Sequence, residues 1–211
     1  MPSFDKPRIP RWIQRGLACC CGALAAATFA QSAADAAPEQ YSIDAQASFV
    51  QFQVRLLATT TLLGRLGPAM GKVVLDRTHG GGEIDVSVPT ASVSTGFAPW
   101  DHFLRGQQGF DAQHAPQITF IAHGLHFSGA TLASVSGELN LRGESHLLTL
   151  TATRFACQRD EPARRDVCEG SFEGQVRRSE FGMTTWSAFL ADPVSIVVHV
   201  NATRDDDSSE R

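Results

Sequence analysis

The sequence predicts an all-β domain of about eight antiparallel strands. Apolar residues recur at every second position over much of the chain, the spacing that places them on one face of a strand. The runs are separated by glycine, proline and polar breaks such as HGGGE and FSGAT, and no helical patterns of about 10–15 residues lie between them. This pattern disfavours βαβ architecture and predicts a sandwich or a barrel.

The strands follow from the alternation. In FVQFQVRLL, at 49–57, apolar residues alternate with Gln51, Gln53 and Arg55, and in 83–88 they alternate with Glu83 and Asp85. One face of each strand is therefore expected to be buried and the other to be in water. Six further segments are predicted as strands: Lys72–Asp76, Gln117–His123, Ala133–Leu141, Leu147–Phe155, Phe172–Arg178 and Val194–Asn201.

One segment breaks the β pattern. Phe97–Phe110, FAPWDHFLRGQQGF, lacks alternation and is rich in Phe and Trp, and Pro99 is well placed to start a short helix. Such a helix could cap one mouth of a barrel or pack over an exposed edge of the core. An eight-stranded barrel can either be filled by its own side chains or enclose one ligand. Periodicity does not decide whether the helix caps a mouth or covers a core edge, nor whether the barrel is filled or encloses a ligand.

The N-terminus has the layout of a secretory signal. Four basic residues precede an apolar stretch at 16–30, which is followed by small residues around Ala34–Ala36. We predict a cleaved signal peptide at 1–36, because the apolar stretch is shorter than the roughly 20 residues of a membrane-spanning helix. The cysteines at 19–21 come too early for lipid attachment and are interpreted as part of the signal. Cleavage changes the net charge from −4 to −6, which gives no electrostatic basis for binding nucleic acid.

The mature chain has two cysteines. Cys157 and Cys168 enclose the charged segment QRDEPARRDV. An even cysteine count in an exported chain favours a disulfide, which would close this segment as a solvent-exposed loop. The end of the chain, at 204–211, is charged and is predicted to be a disordered acidic tail.

Candidate catalytic and metal-binding groups do not converge in the predicted fold. In a regular strand, His123 and His126 would point to opposite faces and could not share a metal. Ser145 is expected in a hairpin turn, because a nucleophile elbow needs a strand-to-helix junction. Glu83 and Asp85 lie on the solvated face. No catalytic residue, metal site or required cofactor is predicted.

Five ordered segments resemble the YceI-like family of periplasmic polyisoprenoid-binding proteins. They are YSIDAQASFVQFQV from Tyr41, SVSTG at 92–96, FDAQHAPQITF at 110–120, VSGELNLRGESHLLTL at 135–150 and RSEFGM at 178–183. The resemblance implies a single lipocalin-like β-barrel over 37–203 in the periplasm. It also implies an enclosed isoprenoid chain whose head group lies near one mouth.

The sequence departs from the family pattern near that mouth. Where the family has an Arg-Asp-x-His-Leu-like stretch, this chain has Trp100 and Phe103 in place of the basic residue and the histidine, whereas Asp101 and Leu104 fit. If the replaced groups meet a head group, a neutral one such as a quinone is favoured over a pyrophosphate. Ala115 replaces an aromatic residue that is common before the proline.

The sequence therefore predicts a non-enzymatic carrier or reservoir whose bound ligand is an isoprenoid lipid or quinone. A membrane or an envelope protein would serve as donor or acceptor. The mouth residues are Trp100, Asp101, Phe103, Leu104 and Phe110. The predicted lumen residues are Val50, Phe52, Val54, Ile84, Val86, Val88, Phe120, Leu139, Leu141, Leu148, Leu150, Phe172, Val176, Ile196 and Val198.

Two alternatives remain. A filled barrel could act on another envelope protein through the Cys157–Cys168 loop. An enzyme acting on a lipid ranks last, because the assigned inward positions carry no polar group, although a one-residue error in register would reverse the faces of a strand.

Overall fold

The computed structural model describes residues 37–205 except 58, 77, 78, 130 and 163. The described residues form ten β-strands, one α-helix and two short 3-10 turns. The strands are β1 (Glu39–Ile43), β2 (Phe49–Leu56), β3 (Thr60–Leu66), β4 (Met70–Asp76), β5 (Gly81–Pro89), β6 (Gln117–Ser128), β7 (Thr131–Leu141), β8 (Glu144–Asp160), β9 (Arg165–Arg177) and β10 (Leu190–Arg204), and the helix α1 is Ala98–Arg105. No helix among them is long and apolar enough to cross a bilayer.

Eight strands close an antiparallel barrel, which confirms the all-β prediction. The ring runs β1-β4-β5-β6-β7-β8-β9-β10, and a β1–β10 pairing completes it. The β2–β3 hairpin, the β5–β6 connection with α1, the β7–β8 turn and the β9–β10 connection lie at one end. The β8–β9 hairpin lies at the other end.

Two strands share one edge of β10. β1 pairs with its last residues, from Ala202 to Arg204, whereas β2 pairs with the part from Leu190 to His199. β3 pairs with β2 along one edge. On its other edge, the described residues form one isolated bridge, between Arg65 and Ser94. The barrel wall is therefore built differently at its two ends.

Each of the eight predicted segments matches an observed strand, although those at 49–57 and Phe172–Arg178 run one residue past the ends of β2 and β9. β1 and β3 were not predicted as separate strands. In β3, threonines and Gly64 occupy several positions, so the apolar alternation is weak. The observed strands also extend further than predicted, because the alternation ends before the backbone pairing does. β8 and β9, for instance, pair as far as Asp160 and Arg165.

The expectation that His123 and His126 point to opposite faces is wrong. The register of β6 shifts between Ala122 and Gly124, and this irregularity leaves both histidines on the outer surface. His123 lies 3.9 Å from the Glu83 carboxylate. The described residues contain no group of three potential metal ligands.

The interior has two apolar clusters. The cluster at the disulfide end is tightly packed around the fully buried Tyr41, and it includes Leu125, Leu150 and Phe172. The second cluster, around Phe52, Phe110 and Phe181, lies at the end that carries α1. An apolar cavity adjoins the second cluster, and the end around Tyr41 is referred to as the filled end.

The chain ends differ in what the structure describes. The predicted signal peptide at 1–36 and residues 206–211 lie outside the described residues. Arg204, which the sequence analysis placed in the tail, is the last residue of β10 and pairs with Glu39 at 3.1 Å. Asp205 donates its backbone N–H to the Gln40 carbonyl. The barrel domain therefore extends at least two residues beyond the predicted boundary at 203.

Cys157 and Cys168 form a disulfide across the β8–β9 hairpin. The two residues are directly opposite in the ladder, and Cys168 is buried in the cluster at the filled end. The predicted pairing is confirmed. The enclosed segment is the tip of a long hairpin.

The double variant Cys157→Ser/Cys168→Ser is expected to lose about 2–3 kcal/mol of unfolding free energy, because the bridge restricts a loop of this length in the unfolded chain. Urea denaturation followed by far-ultraviolet circular dichroism measures the change. The oxidised wild type is the reference, and equal midpoints for the two proteins would contradict a stabilising role.

Candidate functional site

An apolar cavity of about 140 Å³ lies at the α1 end of the barrel. Inward-facing side chains of β2, β3, β6, β7, β9 and β10 form its walls, and the α1 region covers it. Its size is close to the roughly 150 Å³ of an apolar cavity that stays dry and binds benzene. The lining residues are Val50, Phe52, Val54, Leu62, Leu66, Thr95, Trp100, Phe103, Leu104, Gln108, Gly109, Phe110, Ile118, Leu139, Leu141, Val176, Arg178, Met183, Leu190, Val194 and Ile196.

The cavity contains few polar groups. Thr95, Gln108 and Arg178 are the lining residues with polar side chains. Among the described residues, no buried side-chain nitrogen or oxygen lacks a hydrogen-bond partner. A ligand would therefore be held by apolar contact and shape, because burial of apolar surface is favourable without any directional bond.

The predicted lumen residues divide between the cavity and the packed interior. Seven line the cavity: Val50, Phe52, Val54, Leu139, Leu141, Val176 and Ile196. The other eight belong to the apolar clusters without lining it: Ile84, Val86, Val88, Phe120, Leu148, Leu150, Phe172 and Val198. Alternation predicts which face of a strand is inward, but it does not predict where opposite walls meet.

Close backbone contacts shape the cavity. A Cβ on Gly64 would lie 2.1 Å from the end of the Phe52 ring, so glycine lets this ring lie against β3. A Cβ on Gly109 would lie 2.4 Å from the Leu104 carbonyl oxygen, so glycine lets the chain return beneath α1. Phe110 then meets Phe52 edge-to-face at 6.0 Å between ring centroids.

The helix α1 forms a cap that is tied to the barrel rim. The short helix predicted here is present, and it begins at Ala98, one residue before Pro99. Arg105 donates hydrogen bonds to the carbonyls of Ala91 and Val93 at 2.9 Å each. Arg142, in the β7–β8 turn, donates to the carbonyls of Gln107 and Gly109. Two arginine side chains thus fasten the C-terminal part of the cap segment to the barrel.

Asp101 tethers the cap and is not among the residues that line the cavity. Its carboxylate accepts hydrogen bonds from the Thr95 side chain at 2.7 Å and the Thr95 backbone N–H at 2.6 Å. These bonds lower the pKa of Asp101 below its usual 3.8, the side-chain bond most strongly. The other predicted mouth residues, Trp100, Phe103, Leu104 and Phe110, all line the cavity.

The tether should hold at neutral pH and fail in acid. Because the pKa of Asp101 is lower in the folded protein, its contribution to stability is complete above about 3.8 and is lost as the pH falls through the folded value. We expect hydrogen exchange of α1 amides to be unchanged between pH 7 and 5, after correction for intrinsic rates. The Asp101→Asn variant should show faster hydrogen exchange of the α1 amides at neutral pH. An unchanged exchange rate in this variant would contradict the tether.

Arg178 fastens the other side of the mouth. Its guanidinium donates hydrogen bonds to four backbone carbonyls of the β9–β10 connection and the start of β10, those of Met183, Thr185, Leu190 and Ala191, at 2.9–3.3 Å. Burial lowers the pKa of Arg178, but arginine stays charged in proteins. Arg178 belongs to the RSEFGM segment, but no role could be predicted for it, because nothing in a lone sequence shows that an arginine is partly buried.

Two lining residues that were not among the predicted lumen residues could have been predicted from alternation. Ile118 and Val194 share the inward face of strands that alternation predicted. Leu62 and Leu66 belong to β3, the strand that alternation did not reveal.

The polar groups considered for catalysis lie away from the cavity. Glu83 and Asp85 are exposed on the outer face of β5. Ser145 follows the two-residue β7–β8 turn, and its hydroxyl accepts a hydrogen bond from the Asn140 side chain at 3.0 Å. None of these groups lines the cavity.

The chain is similar in sequence and in fold to proteins that are already known. Protein YceI of Salmonella newport (strain SL254) is 26% identical over 182 residues, which cover 86% of this chain and 94% of that protein. Among solved structures, BcnA of Burkholderia cenocepacia matches with a TM-score of 0.61 at 20% identity, covering 75% of this chain and 98% of BcnA. A polyisoprenoid binding domain from Saccharophagus degradans matches with a TM-score of 0.57 at 16% identity, covering 78% and 98% of the two chains.

The family assignment rests on the sequence match and agrees with the fold. The model of the YceI-like domain matches residues 41–202, which span the barrel from β1 to the end of β10. The chain belongs to the YceI-like family.

Proposed function

We propose that this protein binds an isoprenoid lipid, a polyprenyl lipid or a quinone, in the cavity beneath α1 and carries or stores it in the periplasm. The observation that carries the proposal is an apolar cavity between the barrel walls and an aromatic cap. A structural neighbour is described as a polyisoprenoid binding domain, which supports the same ligand class here. No enzymatic step is proposed.

The proposed binding energy comes from the lipid chain. Each buried CH₂ contributes about 0.8 kcal/mol, so two isoprene units, with about ten carbons, would contribute about 8 kcal/mol before the cost of ordering. The cavity of about 140 Å³ is smaller than such a chain needs. Binding of a long chain therefore requires the α1 cap to lift or the side chains around the cavity to repack.

The head group is proposed to be neutral. The mouth is lined by the aromatic residues Trp100 and Phe103, and the guanidinium of Arg178 already serves four backbone carbonyls. A pyrophosphate would need charged donors that are not otherwise engaged. A quinone ring needs mainly apolar and aromatic contact.

Lipid extraction of the purified protein followed by mass spectrometry tests the proposal. The expected result is an isoprenoid species in a stoichiometric amount, with a quinone more abundant than a polyprenyl pyrophosphate. Recovery of no isoprenoid, both from the native source and after incubation with isoprenoid quinone, would overturn it.

A second candidate function uses the disulfide-closed hairpin as a contact surface for another envelope protein. Its support is the packed core beneath this hairpin, but several of its charges pair within the chain, as Arg159 does with Asp166 at 3.5 Å. Deletion of 158–167 discriminates between the two functions. A deletion variant that keeps both its lipid and its role in the envelope supports the cavity, whereas one that keeps its lipid but loses that role supports the hairpin.

A further inference from the structure

Exposed apolar side chains are concentrated at the cavity end of the barrel. Leu57, Phe97, Trp186 and Phe189 are 60, 56, 50 and 49% exposed, and each lies in a connection at that end. We call these four residues, together with Trp100 and Phe103, the aromatic rim. Exposed apolar residues that occur together, unlike scattered ones, usually mark an interaction surface.

The aromatic rim is continuous with the cavity. Ring centroids are 5.9 Å apart between Trp100 and Phe103, 6.4 Å between Phe103 and Trp186, and 6.2 Å between Trp186 and Phe189. The backbone N–H of Leu57 donates to the Phe189 carbonyl at 2.8 Å. Trp100 and Phe103 also line the cavity. An apolar path therefore leads from the outer surface to the binding space.

The segments immediately around five of the six rim residues contain no charged residue, whereas Phe103 lies between Asp101 and Arg105. Segments 56–64, 93–100 and 182–191 lack Asp, Glu, Lys and Arg, although 19% of the whole chain is charged. At the opposite end, segment 158–167 has six charged residues among ten. The three rim segments therefore contribute nothing to the net negative charge of the protein.

Charged residues that border the rim are engaged within the protein. Asp101 accepts hydrogen bonds from Thr95, and Arg105 donates to two backbone carbonyls. Asp192 accepts hydrogen bonds from the backbone N–H and hydroxyl of Ser179 at 2.8 and 2.9 Å. The side chains of the rim itself are apolar, and the charges of Asp101, Arg105 and Asp192 beside it are already hydrogen-bonded within the protein.

We propose that the aromatic rim is a membrane-docking surface, which seats the cavity mouth on an uncharged, zwitterionic lipid bilayer. Trp and other aromatic residues favour the boundary between acyl chains and head groups, because a largely apolar ring can carry a polar edge there. A net acidic protein is repelled by anionic lipid, and an uncharged rim matches a zwitterionic surface. The proposal deepens the proposed function and rests on it, since docking would let a lipid pass between bilayer and cavity without crossing water.

Vesicle sedimentation tests the docking surface. The purified protein is mixed with phosphatidylcholine vesicles, and the bound fraction is compared among the wild type, Trp186→Ser/Phe189→Ser and the control Leu147→Ser. Leu147 is 89% exposed on the outer barrel wall, away from the rim. We expect the rim variant to bind at least about tenfold more weakly and the control to bind like the wild type. Added phosphatidylglycerol should weaken binding by the wild type.

A second measurement does not depend on the folding of the double variant. Fluorescence of the wild type should be quenched by brominated phosphatidylcholine. The conservative variant Trp186→Phe should lose the share of this quenching that comes from Trp186, and Trp100, the other rim tryptophan, should keep its own share. Absence of vesicle binding by the wild type, or equal binding by the rim variant and the wild type, would overturn the proposal. That outcome would instead indicate a protein partner for the rim.

The two proposals fail in different ways. A rim variant that no longer binds vesicles but still contains isoprenoid lipid supports a docking surface separate from the cavity. Vesicle binding without any recoverable isoprenoid would overturn the proposed function and leave the docking surface standing.

Discussion

Leu139→Trp is expected to reduce the isoprenoid lipid that co-purifies with the protein by about tenfold or more. Leu139 lines the cavity from β7, and the larger ring would occupy space that the lipid needs. Exclusion of two CH₂ groups already costs about 1.6 kcal/mol, which exceeds the roughly 1.4 kcal/mol of a tenfold change in affinity. Quantitative mass spectrometry of extracted lipid measures the effect.

Leu147→Trp is the matched control for this prediction. The same substitution is made one strand away, where Leu147 is opposite Glu138 in the β7–β8 ladder and its side chain is in solvent. Its lipid content should equal that of the wild type. Overpacking at Leu139 should cost about 1–3 kcal/mol of stability, so circular dichroism must show that both variants are folded. A folded Leu139→Trp variant with full lipid content would exclude this cavity as the site.

Arg178→Met is expected to lower the free energy of unfolding by about 3 kcal/mol or more. Four carbonyls at the mouth would lose their donor, and a hydrogen bond to a charged group contributes about 1.5–3 kcal/mol. Urea denaturation measures the loss. The connection at 182–189 should also show faster hydrogen exchange.

Arg177→Met provides the control, because Arg177 is the last residue of β9, directly precedes Arg178, and is exposed. Its substitution should change stability by less than about 0.5 kcal/mol. Arg178→Lys should fall between the two, because lysine keeps the charge but lacks the planar fork that reaches several carbonyls. Equal stability of the two methionine variants would show that the carbonyl contacts contribute little.

The sequence could predict most of the barrel because alternation directly encodes the two faces of a strand. Phe52 and Val54 are buried as expected, and Gln51 and Gln53 are exposed. β1 and β3 were missed because each is short or poor in apolar residues at alternate positions. Their positions depend on pairing with distant strands, which one sequence does not display.

The cavity was harder to predict than the fold. Phe172 and Val176 share the inward face of β9, yet Phe172 is packed in the filled end and Val176 lines the cavity. The difference arises from the side chains that they meet across the barrel. Asp101 illustrates the same limit, since a family motif identified its position but its tether to Thr95 required the geometry of the loop.

The shared edge of β10 gives the barrel wall a seam on one side. At the filled end, β1 is paired on both edges, with β4 and β10. At the cavity end, β3 is hydrogen-bonded to β2 along one edge. Among the described residues, its other edge meets the β5–β6 connection at the bridge between Arg65 and Ser94. Local opening is easiest where the fewest backbone hydrogen bonds must break. We therefore expect local opening of the wall beside the cavity to break fewer backbone hydrogen bonds than opening at the disulfide end, and amide hydrogen exchange of β3 to be faster than that of β1.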